Sequence, residues 1–138
     1  MALTDIYRRH HVEIFAMADK LTSSLDPDLL KSNPRDVLSQ LAQFAARINV
    51  HLSMEDKALY PKLLGSSDEE CKSRAKEFQN EMGGIKEEFE TYTSKWSNSD
   101  AISSETDLFI QETKDLFKVI VSRMEKENLI LYPLADSL

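Results

Sequence analysis

His51-Leu52-Ser53-Met54-Glu55, running on through Asp56-Lys57-Ala58 into Leu59-Tyr60-Pro61, is the stretch that decides the fold. Residues four apart stack on one face of a helix, so His51 and Glu55 aim an imidazole and a carboxylate at one point. Seventy-two residues further on, the chain reads Arg123-Met124-Glu125-Lys126-Glu127 and then Leu131-Tyr132-Pro133. Glu127 takes the place of Glu55, the second Leu-Tyr-Pro that of the first, and Arg123 that of His51. A register kept by both the acid and the trailing motif marks an internal repeat. In its second copy the imidazole has been replaced.

The apolar residues on either side draw helical stripes. Tyr7, His11, Ile14, Ala18, Leu21 and Leu25 recur at spacings of three and four, which predicts a helix over 3–25 with His11 facing inward. Asp26-Pro27 breaks it, and Asn33-Pro34 offers a cap with proline at the start of a second helix that reaches Leu64. Its inward row is Val37, Leu41, Phe44, Ile48, His51, Glu55 and Leu59. Ser67-Asp-Glu-Glu70 reads as a capping box opening a third helix to about Trp96, with Phe78, Met82, Ile85, Phe89, Tyr92 and Trp96 inward. Gly83-Gly84 inside it costs about 1 kcal/mol per glycine relative to alanine, which points to a kink or to close helix packing. After the polar connection 97–104, a fourth helix carries Leu108, Ile110, Leu116, Val119, Ile120, Arg123, Glu127 and Leu131. Pro61 and Pro133 fall late in the second and fourth helices, where each should kink or end the last turns.

The repeat reaches the other helices as well. His11, Ile14, Ala18 and Leu21 lie 71 residues before Met82, Ile85, Phe89 and Tyr92, a polar or soft position followed by the same apolar rhythm. Each half is therefore one helical hairpin. The expected fold is all-α, an up-down-up-down four-helix bundle of two similar hairpins forming a single domain over 1–138.

Composition narrows the function classes. The 138 residues carry a net charge of −7, which argues against a nucleic-acid partner, since a phosphate backbone calls for a basic face. Arg8-Arg9-His10-His11 is too short a basic run to reverse this. No stretch approaches the roughly twenty apolar residues of a membrane span, and Asp5, Arg8, Arg9 and Glu13 occupy the place of a signal peptide's apolar run. No membrane association and a cytoplasmic location are expected. Cys71 is the one cysteine and reads as structurally incidental. Neither a nucleophile with its base, nor a phosphate loop, nor a cofactor fingerprint is present, so an enzyme is not expected.

His51 and Glu55 lie on the apolar row, and a buried carboxylate requires a metal or a buried cation beside it. His11 is either a ligand or a hydrogen-bonded core histidine. His10, about 100° around the helix from His11, reads as a surface residue. Met82 reads as core. Arg123 either lies at the surface with its guanidinium in water or forks onto Glu55 or Glu127; the second option makes Arg123→Ala destabilising by several kcal/mol. Tyr60 and Tyr132 either donate to the carboxylates or are core aromatics with a wet tip.

The chain resembles the hemerythrin-like HHE cation-binding family from about Ile6 to Pro133. The resemblance rests on His51-x-x-x-Glu55 with Leu59-Tyr60-Pro61, on Glu127 with Leu131-Tyr132-Pro133, and on His11 with Ile14 and Met17. In that family each hairpin gives one histidine from its first helix and His-x-x-x-Glu from its second, and the glutamates bridge two irons. The resemblance implies His11, His51, Glu55 and Glu127 as metal ligands, with Met82 and Arg123 standing where two imidazoles are usual. It implies a degenerate site holding at most one ion: iron by resemblance, with Mn(II) or Zn(II) equally suited to two imidazoles and two carboxylates. The expected function is a metal-binding sensor, storage or regulatory protein. The alternative is a metal-free bundle that binds a regulatory protein partner.

Overall fold

A computed structural model describes residues 2–138. Helix α1 (Asp5–Ser23) leads through the short α2 (Pro27–Ser32) into α3 (Arg35–Met54), which continues through a π-helical turn (Glu55–Leu59) into α4 (Tyr60–Leu64). Helix α5 (Glu69–Lys95) opens the second hairpin, followed by the short α6 (Ser99–Ser104) and α7 (Thr106–Lys126). A second π-helical turn (Glu127–Leu131) then leads into α8 (Tyr132–Asp136). Four long rods result: α1, α3–α4, α5 and α7–α8. Neighbouring rods run antiparallel, as the pairs Glu13 with Arg47, Lys95 with Glu112 and Thr4 with Asp136 show.

The two prolines widen their helices rather than ending them. A proline has no N–H to donate, and its ring crowds the carbonyl four residues back. The turn before each one opens to the i→i−5 pattern, with Tyr60 N–H donating to Glu55 O and Tyr132 N–H to Glu127 O. The extra residue lets two consecutive side chains face inward, Leu59 with Tyr60 and Leu131 with Tyr132, all buried. The connections are also more ordered than the sequence suggests. Asp26 caps α2 by accepting from Asp28 N, and Asn98 caps α6 by accepting from Ala101 N. At the start of α5 the cap is Asp68, which accepts from Glu70 N and Cys71 N, so the box expected from Ser67 is displaced by one residue.

The core comes in two apolar layers. The larger contains Ile14, Leu41, Phe44, Ile48, Phe89, Trp96, Phe117 and Met124. The smaller, at the end where the prolines lie, contains Tyr7, Leu59, Tyr60, Leu63, Cys71, Phe78, Leu131 and Tyr132. On α7 the buried face is Phe109, Thr113, Leu116, Phe117, Ile120 and Met124; Leu108 and Val119, expected inside, are exposed. The stripe is rotated because the larger aromatic and sulfur side chains, Phe109, Phe117 and Met124, fill the core more completely. Between the layers lie His11, His51, Glu55 and Glu127, each with no exposed surface. Rod α5 passes between the same layers from Phe78 to Met82, and of the polar residues between them Gln79 is half-buried while Asn80 and Glu81 are exposed.

Gly83 and Gly84 neither break the helix nor allow a close approach. Helix α5 is continuous through them, both are exposed, and a Cβ added at either meets no atom within 4 Å. Their effect is confined to backbone entropy. Gly84→Ala is therefore expected to raise stability by about 0.5–1 kcal/mol in denaturant melts, with the slope unchanged.

Candidate metal centre

Three rods converge on the polar layer. Rod α1 brings His11, α3 with its π turn brings His51 and Glu55, and the second π turn brings Glu127. His11 Nε2 stands 3.0 Å from His51 Nε2 and 3.1 Å from Glu127 Oε1. His51 Nε2 stands 3.1 Å from Glu55 Oε1 and 3.9 Å from Glu127 Oε1. The ligating atoms of His11, His51 and Glu127 all lie within 4.8 Å of one another, and Glu55 closes the group on the His51 side.

The outer nitrogens of both imidazoles are engaged. His11 Nδ1–H donates to Asn128 Oδ1 at 2.8 Å, which fixes the ring with its Nε2 toward the polar layer. His51 Nδ1 pairs with His10 Nδ1 at 3.1 Å. The surface position expected for His10 is thus only half right, since the ring is partly buried and its edge backs His51. The matching position in the repeat is Asp56, which carries a similar acceptor but is exposed. Only its place, next to Glu127 within a widened turn, could have pointed to it. Its backbone oxygen in turn accepts from Arg8, whose guanidinium lies over the Tyr132 ring and beside Asp136.

The tyrosines of the two Leu-Tyr-Pro motifs cross over. Tyr132 donates to Glu55 Oε2 at 2.7 Å, and Tyr60 donates to Glu127 Oε2 at 3.5 Å, so each hairpin's phenol addresses the other hairpin's acid. One oxygen of each carboxylate remains. Glu55 Oε1 and Glu127 Oε1 are buried and receive no aligned hydrogen bond, although an imidazole nitrogen lies 3.1 Å from each. His11 Nε2, His51 Nε2 and Glu127 Oε1 thus cluster around one point with Glu55 Oε1 beside His51, a donor set of the kind that holds a divalent cation.

The electrostatics without an ion show the same tension. Burial drives the Glu55 carboxyl up, the charge of Glu127 adds to this, and it reaches about 7. Burial also opposes ionisation of Glu127, but the two imidazoles overcome it and bring that carboxyl down to about 2. Burial works to lower His51, yet Glu127 and Glu55 outweigh it and raise the imidazole to about 9. Protons thus supply the positive charge that the carboxylates require.

The fourth wall differs. Met82 is buried in the larger apolar layer and joins no polar contact. Arg123 does not reach Glu55 or Glu127. It pairs with Glu81 and lies over the Phe78 ring, 4.2 Å from its centre, with the side chain only 12% exposed. Its length lets the guanidinium leave the polar layer for the rim of α5, where Glu81 is half in water. The positions of Met82 and Arg123 are thus taken up by apolar packing and an ion pair with Glu81, and the several-kcal/mol cost expected for stranding Glu55 or Glu127 by removing Arg123 does not apply.

Loss of the Asn128 acceptor should be felt through His11 alone. Asn128→Leu is expected to weaken metal binding by roughly 10–100-fold in isothermal titration while the helical circular dichroism is retained. Arg123→Ala is expected to leave that affinity unchanged.

Residues 2–135 match the family model described as the hemerythrin HHE cation-binding domain. No curated protein and no solved structure matches the sequence. Among the described residues no helix is long and apolar enough to cross a membrane. With a match over nearly its whole length, a wholly helical bundle and a buried histidine–glutamate cluster between two hairpins, the chain belongs to the hemerythrin HHE cation-binding domain family.

Proposed function

We propose that this protein binds a single metal ion in the polar layer, through His11, His51, Glu127 and Glu55, and serves as a metal sensor, store or regulatory module. The observation that carries the reading is the pair of bare carboxylate oxygens facing two imidazole Nε2 atoms in a layer without solvent exposure. Two buried carboxylates call for positive charge beside them, and a divalent ion held by two imidazoles and two carboxylates is neutralised where it sits. Iron is the ion favoured by the family resemblance; the donor atoms suit Mn(II) and Zn(II) equally.

The apolar fourth wall limits the stoichiometry. With Phe78, Met82 and the outward Arg123 in place of further ligands, the reading is one ion per chain and not a di-iron oxygen carrier. Full burial of all four residues leaves no room beside them for an organic substrate, which supports a binding role rather than an enzymatic one.

Anaerobic reconstitution with Fe(II), Mn(II) or Zn(II), followed by elemental analysis, tests this. One equivalent is expected for the wild type and none for His51→Ala. At free metal a hundredfold above Kd the wild type gains about 2.7 kcal/mol of stability, an increment absent in the variant. Two equivalents that survive desalting, or none with any of these ions, contradict the reading.

A further inference from the structure

Tyr132 is placed differently from its twin in the repeat. The Tyr60 hydroxyl approaches the site only through Glu127 Oε2. The Tyr132 hydroxyl oxygen has a second neighbour, His11 Nε2, at 3.1 Å. The phenol has one hydrogen, and the 2.7 Å bond to Glu55 Oε2 uses it. His11 holds its own hydrogen at Nδ1, against Asn128. With His11 Nδ1–H committed to Asn128 and the phenol hydrogen to Glu55, the contact between the phenol oxygen and Nε2 needs a further positive centre, a proton or a metal ion.

The spacing fits such a cation. Ligand atoms at right angles on metal bonds of about 2.1 Å stand roughly 3.0 Å apart. His11 Nε2 has three neighbours at that distance: His51 Nε2 at 3.0 Å, Glu127 Oε1 at 3.1 Å and the Tyr132 oxygen at 3.1 Å. The ring of donors is closed by Glu55, which touches His51 through one oxygen and Tyr132 through the other.

We infer that Tyr132 is itself a ligand, and that its phenolate completes a five-residue donor set suited to a trivalent ion such as Fe(III). The inference rests on the metal-binding reading above. Charge supports it. The two carboxylates neutralise a divalent ion, and a trivalent ion in the same buried layer leaves one positive charge that a phenolate cancels. On coordination the phenol O–H bond breaks, its proton is taken up by the citrate that delivered the ion, and the oxygen's electron pair forms the metal–oxygen bond. The metal enters as Fe(III), so no electron is transferred.

The test is reconstitution with Fe(III) citrate, read by visible absorption and resonance Raman spectroscopy. A phenolate-to-iron charge-transfer band with tyrosinate ring vibrations is expected. Tyr60→Phe should keep the band and Tyr132→Phe should lose it, with Fe(III) affinity falling by at least roughly 100-fold and Zn(II) affinity changing far less. Fe(III) bound without the band overturns the inference in the wild type alone, whether or not either variant folds. So does a band that survives in Tyr132→Phe. Uptake of Zn(II) or Fe(II) with no uptake of Fe(III) overturns the ligand role of Tyr132 and leaves the metal-binding reading standing. Failure to take up any of these ions overturns both.

Discussion

Two glutamates without solvent, Glu55 and Glu127, constrain everything around them. An isolated carboxylate in an apolar interior is costly enough that a protein either neutralises it or pairs it, and a bundle holding two must do so twice within a few ångströms. The arrangement of this chain follows from that requirement. Imidazoles from α1 and α3 bracket the acids, and phenols from opposite hairpins take one oxygen of each. Asn128 and His10 fix the imidazoles from behind. Above and below, apolar layers exclude water and so strengthen every one of these contacts.

The π turns link the backbone to this chemistry. Each begins at one of the two glutamates and ends just before the Tyr-Pro of its motif, so one local widening sets the acid, the phenol and the proline in fixed relation. Because the repeat places the same device in both hairpins, mating them crosses the phenols onto the opposite acids. The asymmetry lies elsewhere. One side retains both imidazoles; on the other, the positions of Met82 and Arg123 have become apolar packing and a rim ion pair. A pseudo-symmetric scaffold thus supports a one-sided site.

Much of this was legible in the residues. The stripes on α1 and α3 placed His11, His51 and Glu55 inward, the repeat did the same for Glu127, and the fold brings these four together. What was not legible has specific causes. A proline late in a helix signals a break, and only the backbone shows that the preceding turn can widen instead. Periodicity locates an arginine at the edge of a stripe but not where its flexible side chain ends, so Arg123 went to Glu81 and Phe78 rather than to the acids. Two glycines imply a constraint only when something presses on them, and nothing presses on Gly83 or Gly84. Asn128 was hidden because it contacts His11 across 117 residues, a relation with no periodic trace.

The proposed site holds one ion, where the two imidazoles of His11 and His51 meet both acids. The most direct measurement is anomalous diffraction from crystals of the iron-loaded protein, collected on either side of the iron absorption edge. One anomalous peak per chain is expected, within bonding distance of His11 Nε2, His51 Nε2 and Glu127 Oε1 and adjoining Glu55. Two peaks bridged by the glutamates, or a single peak on the Met82 and Arg123 side, would contradict it.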